Sequence, residues 1–277
     1  MLRRSIKYFY ESQTITTLEN GWYNIVNGGM IIIQDKKLRV VVFPHAGGGT
    51  LFYRDFKSAF KHSDVSVIQY PGREEKYAQV MPDTVGELAD EIFREYRDLF
   101  KSDYVIWGHS MGSTVGYEVA KRCEEILHNP PIAFFSSGAS APCSPTTKKV
   151  KLSVDSDKDF EELMDMYGGI SDELRHDKDF CDYFYPIIRG DMKLLSDYRD
   201  NDHIKLRCPV RLIEGTEDGC IIDKWKFYTD FDINVKYHNG GHFFINDHKQ
   251  EIADYIENNA MEVRSRRMGT SGYRKIT

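Results

Sequence analysis

A serine between glycines, a carboxylate after a strand and a histidine in a glycine-rich loop give this chain the means for nucleophilic attack on an acyl group. The serine is Ser110, in Tyr104-Val105-Ile106-Trp107-Gly108-His109-Ser110-Met111-Gly112-Ser113-Thr114. A G-x-S-x-G run at a sharp strand-to-helix turn strains the serine backbone, and its glycines let neighbouring segments approach. The pentapeptide alone is a weak signal. An apolar strand before it, helical spacing after it and Gly116 on the early helix surface give it context. A serine hydroxyl needs a base to take its proton. Of the nine histidines, His242 in Asn239-Gly240-Gly241-His242-Phe243-Phe244 is placed for that task, after the last weak strand and before the final helix. Phe243 and Phe244 would anchor its loop. His109 should point away from the turn and pack, and His45 should shape its loop through a hydrogen bond. The chain order Ser, acid, His directs the search for the acid to Glu214-Gly215-Thr216-Glu217-Asp218-Gly219, with Asp218 the first choice and Glu217 the reserve. An oxyanion needs preorganised amide donors. Met111 at the helix start supplies one, and His45-Ala46-Gly47-Gly48 the other, from Ala46 or, next in order, Gly47.

The elements that must position these residues follow from periodicity. Leu38-Arg39-Val40-Val41-Val42-Phe43 reads as a buried strand entering a glycine-rich loop. Short apolar runs at 65–69, 104–107, 132–136 and 210–214, with a weaker one at 235–237, read as further strands of one sheet. Between them Val85, Leu88, Ile92, Phe93, Tyr96 and Leu99, then Val115, Val119 and Ile126, recur at helical steps. This alternation predicts an α/β fold with a mostly parallel central sheet and helices on both faces. It pauses over 150–199, where Phe160, Leu163, Met164 and Tyr167, then Phe180, Phe184, Ile187, Ile188 and Leu195, predict two or more helices and no strand. That stretch is expected to be a helical lid over the C-terminal edge of the sheet. Residues 1–38 form a leader to which the pattern assigns no element, 39–261 the main domain, and 262–277 a basic tail expected to fray.

Composition excludes several classes. A net charge of -6 does not supply the basic face that nucleic acid requires. The five cysteines form no C-x-x-C pair, which argues against zinc or redox chemistry and for reduced cytosolic thiols. The first twenty residues contain no apolar export signal, and no apolar run approaches the ~20 residues of a membrane helix. The expectation is a cytoplasmic protein with no membrane contact.

Four separated motifs, Phe43-Pro44-His45-Ala46-Gly47-Gly48, Tyr70-Pro71-Gly72-Arg73-Glu74, Gly108-His109-Ser110-Met111-Gly112 and Gly240-Gly241-His242-Phe243-Phe244, together resemble the type II thioesterases that accompany nonribosomal peptide and polyketide synthases. The resemblance runs from about Arg39 to Ile256 and includes an Arg189-Gly190-Asp191 turn in the lid. It implies an α/β-hydrolase fold and removal of unwanted acyl groups from the phosphopantetheine arm of carrier proteins through an acyl-enzyme. It assigns Ser110, Asp218 and His242 as the triad and the amides of Ala46 and Met111 as the oxyanion donors. No metal or cofactor is implied, phosphopantetheine entering as part of the substrate, and the partners would be acyl or peptidyl carrier proteins met by a monomer. Gly219-Cys220 departs from the family, whose members often carry proline after the acid. The Tyr70-Pro71-Gly72-Arg73 loop reads as structural, with a phosphate contact by Arg73 the lesser alternative, and Lys148, Lys149 and Lys151 are a candidate docking patch for an acidic carrier. A carboxylesterase using the same triad, or a hydrolase-fold binding module, are the other readings.

Overall fold

The computed structural model describes residues 7–10, 13–18, 21–26, 29–33, 37–144 and 148–271, and the chain divides into two units, 1–37 and 38–277. In the first, β1 (Lys7–Tyr10), β2 (Gln13–Leu18), β3 (Gly21–Val26) and β4 (Gly29–Ile33) pair antiparallel in chain order. The leader therefore carries a four-stranded sheet where periodicity assigned nothing. Asn27-Gly28, lying between two β-prone runs, is the hairpin signal that marks it.

In the second unit β5 (Leu38–Phe43), β6 (Ser63–Val67), β7 (Tyr104–His109), β8 (Phe134–Ser137), β9 (Val210–Gly215) and β10 (Asn234–His238) form one parallel sheet. Its order is β10-β9-β8-β7-β5-β6. Successive side chains of a strand point to opposite faces, and the sequence supplies apolar residues for both. Val41, Phe43, Ile106, Phe134 and Leu212 pack with one set of helices, α2 (Val85–Glu95) and α3 (Met111–Ile126). Val40, Val42, Trp107, Phe135 and Ile213 pack with α1 (Arg54–Ala59) and α8 (Lys249–Ser271) on the other. The chain leaves β5 outward to β6 and returns past β5 to β7, so the strand order reverses between β5 and β7. Open α/β sheets bind ligands outside the strand ends at such a reversal. Ala46 follows β5 and Ser110 follows β7.

Between β8 and β9 lie α4 (Lys148–Asp155), α5 (Asp157–Tyr167), α6 (Asp172–His176) and α7 (Lys178–Asp197), several helices with no strand among the described residues of 150–199, as the spacing predicts. Val150, Phe160, Leu163, Met164, Ile188 and Met192 form their shared core, and Ala46 packs against it. The start of α7 is fixed by Asp177, whose side chain accepts from the Phe180 amide at 2.8 Å.

Two expectations are corrected. Arg189-Gly190-Asp191 is no turn; it lies inside α7, whose apolar spacing through Ile188, Met192 and Leu194 overrides the helix-weakening Gly190. The tail does not fray at Met261, since α8 continues to Ser271, buries Val263 in line with Ile256 and Ala260, and pairs Arg264 with Asp103 at 2.9 Å. Residues 272–277 of that tail lie outside the described residues. Among the described residues no helix is long and apolar enough to cross a membrane.

Candidate active site

Ser110 occupies the single-residue corner between β7 and α3 with φ 53° and ψ -120°. A non-glycine residue in such a region carries strain of order 1–3 kcal/mol, sustained here because its amide donates to the Ser137 carbonyl at 2.8 Å. Although it stands at the helix N-cap, its side chain makes no capping bond, so the hydroxyl is not consumed by the helix. Gly112 is obligatory, since a Cβ there would lie 1.9 Å from the Phe43 carbonyl oxygen. The first turn of α3 is thereby pressed against the end of β5.

The loops after β9 and β10 are joined by two backbone bonds, from Thr216 to the His238 carbonyl at 2.9 Å and from Glu217 to the Gly240 carbonyl at 3.0 Å. Gly215 sits at the crossing, where a Cβ would come within 2.6 Å of the carbonyl oxygens of Gly240 and Gly241. This crossing brings Asp218 to His242, whose Nδ1 lies 2.8 and 3.1 Å from the two carboxylate oxygens. Both side chains are buried, at 3% exposure for Asp218 and 8% for His242. Glu217, the reserve acid, faces solvent. The cysteine at position 220 leaves the pair intact. Phe244 anchors the loop in the core as expected, whereas Phe243 lines the cavity over Ser110.

The other two histidines fill the packing roles expected of them. His45 Nδ1 and the Tyr53 hydroxyl are 3.0 Å apart, and burial pushes its imidazole down to about 3, which keeps it neutral. His109 is buried with Nδ1 3.1 Å from the Ser137 hydroxyl, and burial likewise lowers its basicity.

The loop after β5 is held by an interaction absent from the sequence reading. Arg73 and Asp191, both nearly fully buried, form a bidentate pair with two bonds of 2.6 Å. Asp191 Oδ2 also accepts from the Gly47 amide at 2.8 Å, and Arg73 donates to the Gly48 carbonyl at 3.2 Å. Gly47's amide is therefore committed, which favours Ala46 over its neighbour as an oxyanion donor. Arg73 has the structural role expected of its loop, and the lesser alternative of a phosphate contact falls away because its guanidinium is spent on Asp191. Met111 is the first residue of α3, and first-turn amides lack intrahelical acceptors.

Two cavities meet at Ser110 and His242. The larger, about 450 Å³, is walled by Phe52, Met164, Ile170, Phe184, Ile188 and Phe243. The other, about 350 Å³, is lined by Met111, Ser140, Met166, Tyr198, Asp218 and Cys220 among others. Tyr167 of α5 lies over His242, ring centroids 4.5 Å apart, and borders both. Of the three lysines, Lys151 is exposed, and the side chains of Lys148 and Lys149 lie outside the described residues.

Beneath the acid lies Glu214, near the end of β9. It is 2% exposed, and its carboxylate has only the Ala139 backbone and the Cys220 thiol nearby, with no well-formed hydrogen bond to either oxygen. Burial first, and the charge of Asp218 second, push it up to about 8 from 4.5. The folded chain thus keeps a proton that the unfolded chain releases above about 4.5, so this group's contribution to stability is full below that pH and is lost as pH rises through about 8. Glu214→Gln is expected to gain in melting temperature relative to wild type as pH goes from 5 to 9, and a constant difference across that range in thermal melts would contradict a protonated Glu214.

The strand order, the strained corner serine and the buried acid–histidine pair define an α/β-hydrolase fold of the serine type. The chain belongs to the thioesterase domain family, which it matches over residues 38–259. It is 28% identical over 229 residues to phenyloxazoline synthase MbtB of Mycobacterium tuberculosis, covering 80% of this chain but 16% of that protein. It is 25% identical to the gramicidin S biosynthesis protein GrsT of Aneurinibacillus migulanus, covering 88% of this chain and 95% of that one. Among solved structures, the type II thioesterase BorB of the borrelidin biosynthetic cluster superposes with a TM-score of 0.71 at 28% identity, over 82% of this chain and 94% of that one.

Proposed function

We propose that this chain is an editing thioesterase that hydrolyses acyl groups from the phosphopantetheine arm of carrier proteins in nonribosomal peptide or polyketide synthesis, in the cytoplasm. The observation that carries the reading is the buried Asp218–His242 pair opening on the same apolar-walled cavity as Ser110. In this mechanism His242 takes the Ser110 proton as the oxygen attacks the thioester carbonyl. The amides of Met111 and Ala46 receive the charge on the tetrahedral oxygen, and Asp218 stabilises the imidazolium. The carbon–sulfur bond breaks as the His242 imidazolium passes its proton to the sulfur, and the neutral thiol leaves the acyl-enzyme behind. Its pKa, near ~8.5, makes it a better leaving group than an alcohol. His242 then deprotonates water, which releases the acid and restores Ser110. The apolar walls around Phe184 and Met164 favour alkyl and aryl acyl groups over charged ones, because a buried charge without a partner is costly.

The test is a panel of acyl-loaded carrier proteins, with release followed by intact mass. Wild type should clear apolar acyl groups fastest, and Phe184→Ala should shift the preference toward longer chains. Equal rates on free oxyesters, with no gain from a carrier, would favour a carboxylesterase instead.

A further inference from the structure

The loop that carries His242 is bracketed by two more histidines and a glutamate. His238 ends β10, His248 directly precedes α8, and Glu251 lies one turn on, at the i,i+3 spacing that places two side chains on one helix face. His238 Nδ1 is 3.2 Å from Glu251 Oε2, His248 Nδ1 is 3.3 Å from Glu251 Oε1, and the two imidazole centroids are 4.7 Å apart.

The hydrogens decide what these contacts are. His248 Nε2 lies 3.1 Å from the Asn239 carbonyl oxygen, which can only accept, so Nε2 carries the hydrogen. In a neutral imidazole Nδ1 is then a bare lone pair, and it faces a carboxylate, which is an acceptor too. Two acceptors at that distance need a cation between them, either a second proton on the ring or a metal ion. His238 also presents Nδ1 to Glu251, with its side chain 1% exposed and Nε2 buried without a partner; nothing fixes its tautomer, so Nδ1 can donate a hydrogen to Glu251 or give its lone pair to an ion. Zinc bonds of ~2.0–2.2 Å to nitrogen and oxygen in a tetrahedron set nitrogen–oxygen edges of about 3.4 Å; the two separations here are of that size but run to different oxygens of Glu251, so a small turn of the exposed carboxylate would bring one oxygen to a shared ion. The Asn239 carbonyl supplies the outer hydrogen bond that metal-bound histidines usually make, and the 63% exposure of Glu251 leaves room for water at the fourth position.

We propose that His238, His248 and Glu251 bind one divalent ion of the zinc class, which ties the end of β10 to the first turn of α8 across the His242 loop. The ion is a brace, and no step of the hydrolysis runs through it. This departs from the metal-free expectation drawn from the cysteine spacing.

Equilibrium dialysis of the full chain against zinc chloride under reducing conditions tests the site. One ion per chain is expected, with a rise in melting temperature on zinc addition. His248→Ala and Glu251→Gln should each weaken binding by more than about 100-fold, beyond the loss of a merely supporting partner, and abolish the thermal shift. Because the five cysteines are free thiols, cobalt(II) is the second probe. It should give visible bands of a nitrogen and oxygen site, unchanged in Cys220→Ser. No binding at micromolar zinc, unchanged stoichiometry in both variants, or thiolate-to-cobalt absorption that disappears in Cys220→Ser would overturn the proposal. None of these outcomes depends on thioesterase activity, so the site and the catalytic reading stand or fall separately.

Discussion

Ser110→Ala is expected to lower kcat/KM for carrier-bound thioesters by more than about a thousand-fold, because the three groups of a triad act as a unit and losing one removes nearly all of its effect. Alanine at φ 53° relieves none of the backbone strain, so the loss should not come with a change in fold. A fluorophosphonate should label wild type and fail to label the variant. Retention of more than about a thousandth of wild-type turnover would remove Ser110 from the nucleophile role. Asp218→Asn should fall by a comparable order, since an amide favours the wrong imidazole tautomer. Glu217→Gln should stay near wild type, because its side chain faces solvent.

The largest expected effect on stability comes from Asp191→Ala. Removing one partner of a buried pair leaves the other charge stranded, at a cost of about 3–5 kcal/mol. In a domain of this size roughly 2–4 °C of melting temperature follow each kcal/mol, so a circular dichroism melt should fall by on the order of 10 °C. Replacing both members, Arg73→Met with Asp191→Leu, should recover most of the loss, as buried pairs often exchange for apolar residues at little cost. The double variant should still hydrolyse slowly, because the Gly47 amide has lost its acceptor and the loop bearing Ala46 its restraint. A double variant with full turnover would show that the pair serves stability alone.

What was legible in the sequence was local or ordered along the chain. The sheet strands announced themselves as apolar runs, and Ser110, Asp218 and His242 by motif and sequence order. What was missed depends on residues far apart. Asp191 meets Arg73 across 118 positions and Gly47 across 144, and nothing near Arg189-Gly190-Asp191 signals either partner. Glu214 reads as the polar end of a strand, and its confinement arises only when the strand is covered from both sides. Other misses did have signals. Ile252, Ile256, Ala260 and Val263 keep helical spacing past the expected end of the domain, and in the leader two β-prone runs flank Asn27-Gly28.

Asp191 belongs to lid helix α7, yet one of its oxygens holds an amide next to the residue proposed to receive the oxyanion. The cover and the catalytic floor are thus mechanically interlocked. Any movement that carries α7 outward withdraws the acceptor from Gly47 and loosens the charge-stabilising loop at the same moment. An open enzyme would accept cargo without being armed, and closure would arm it, so a carrier that docks and leaves before the cover settles would depart with its acyl group still attached.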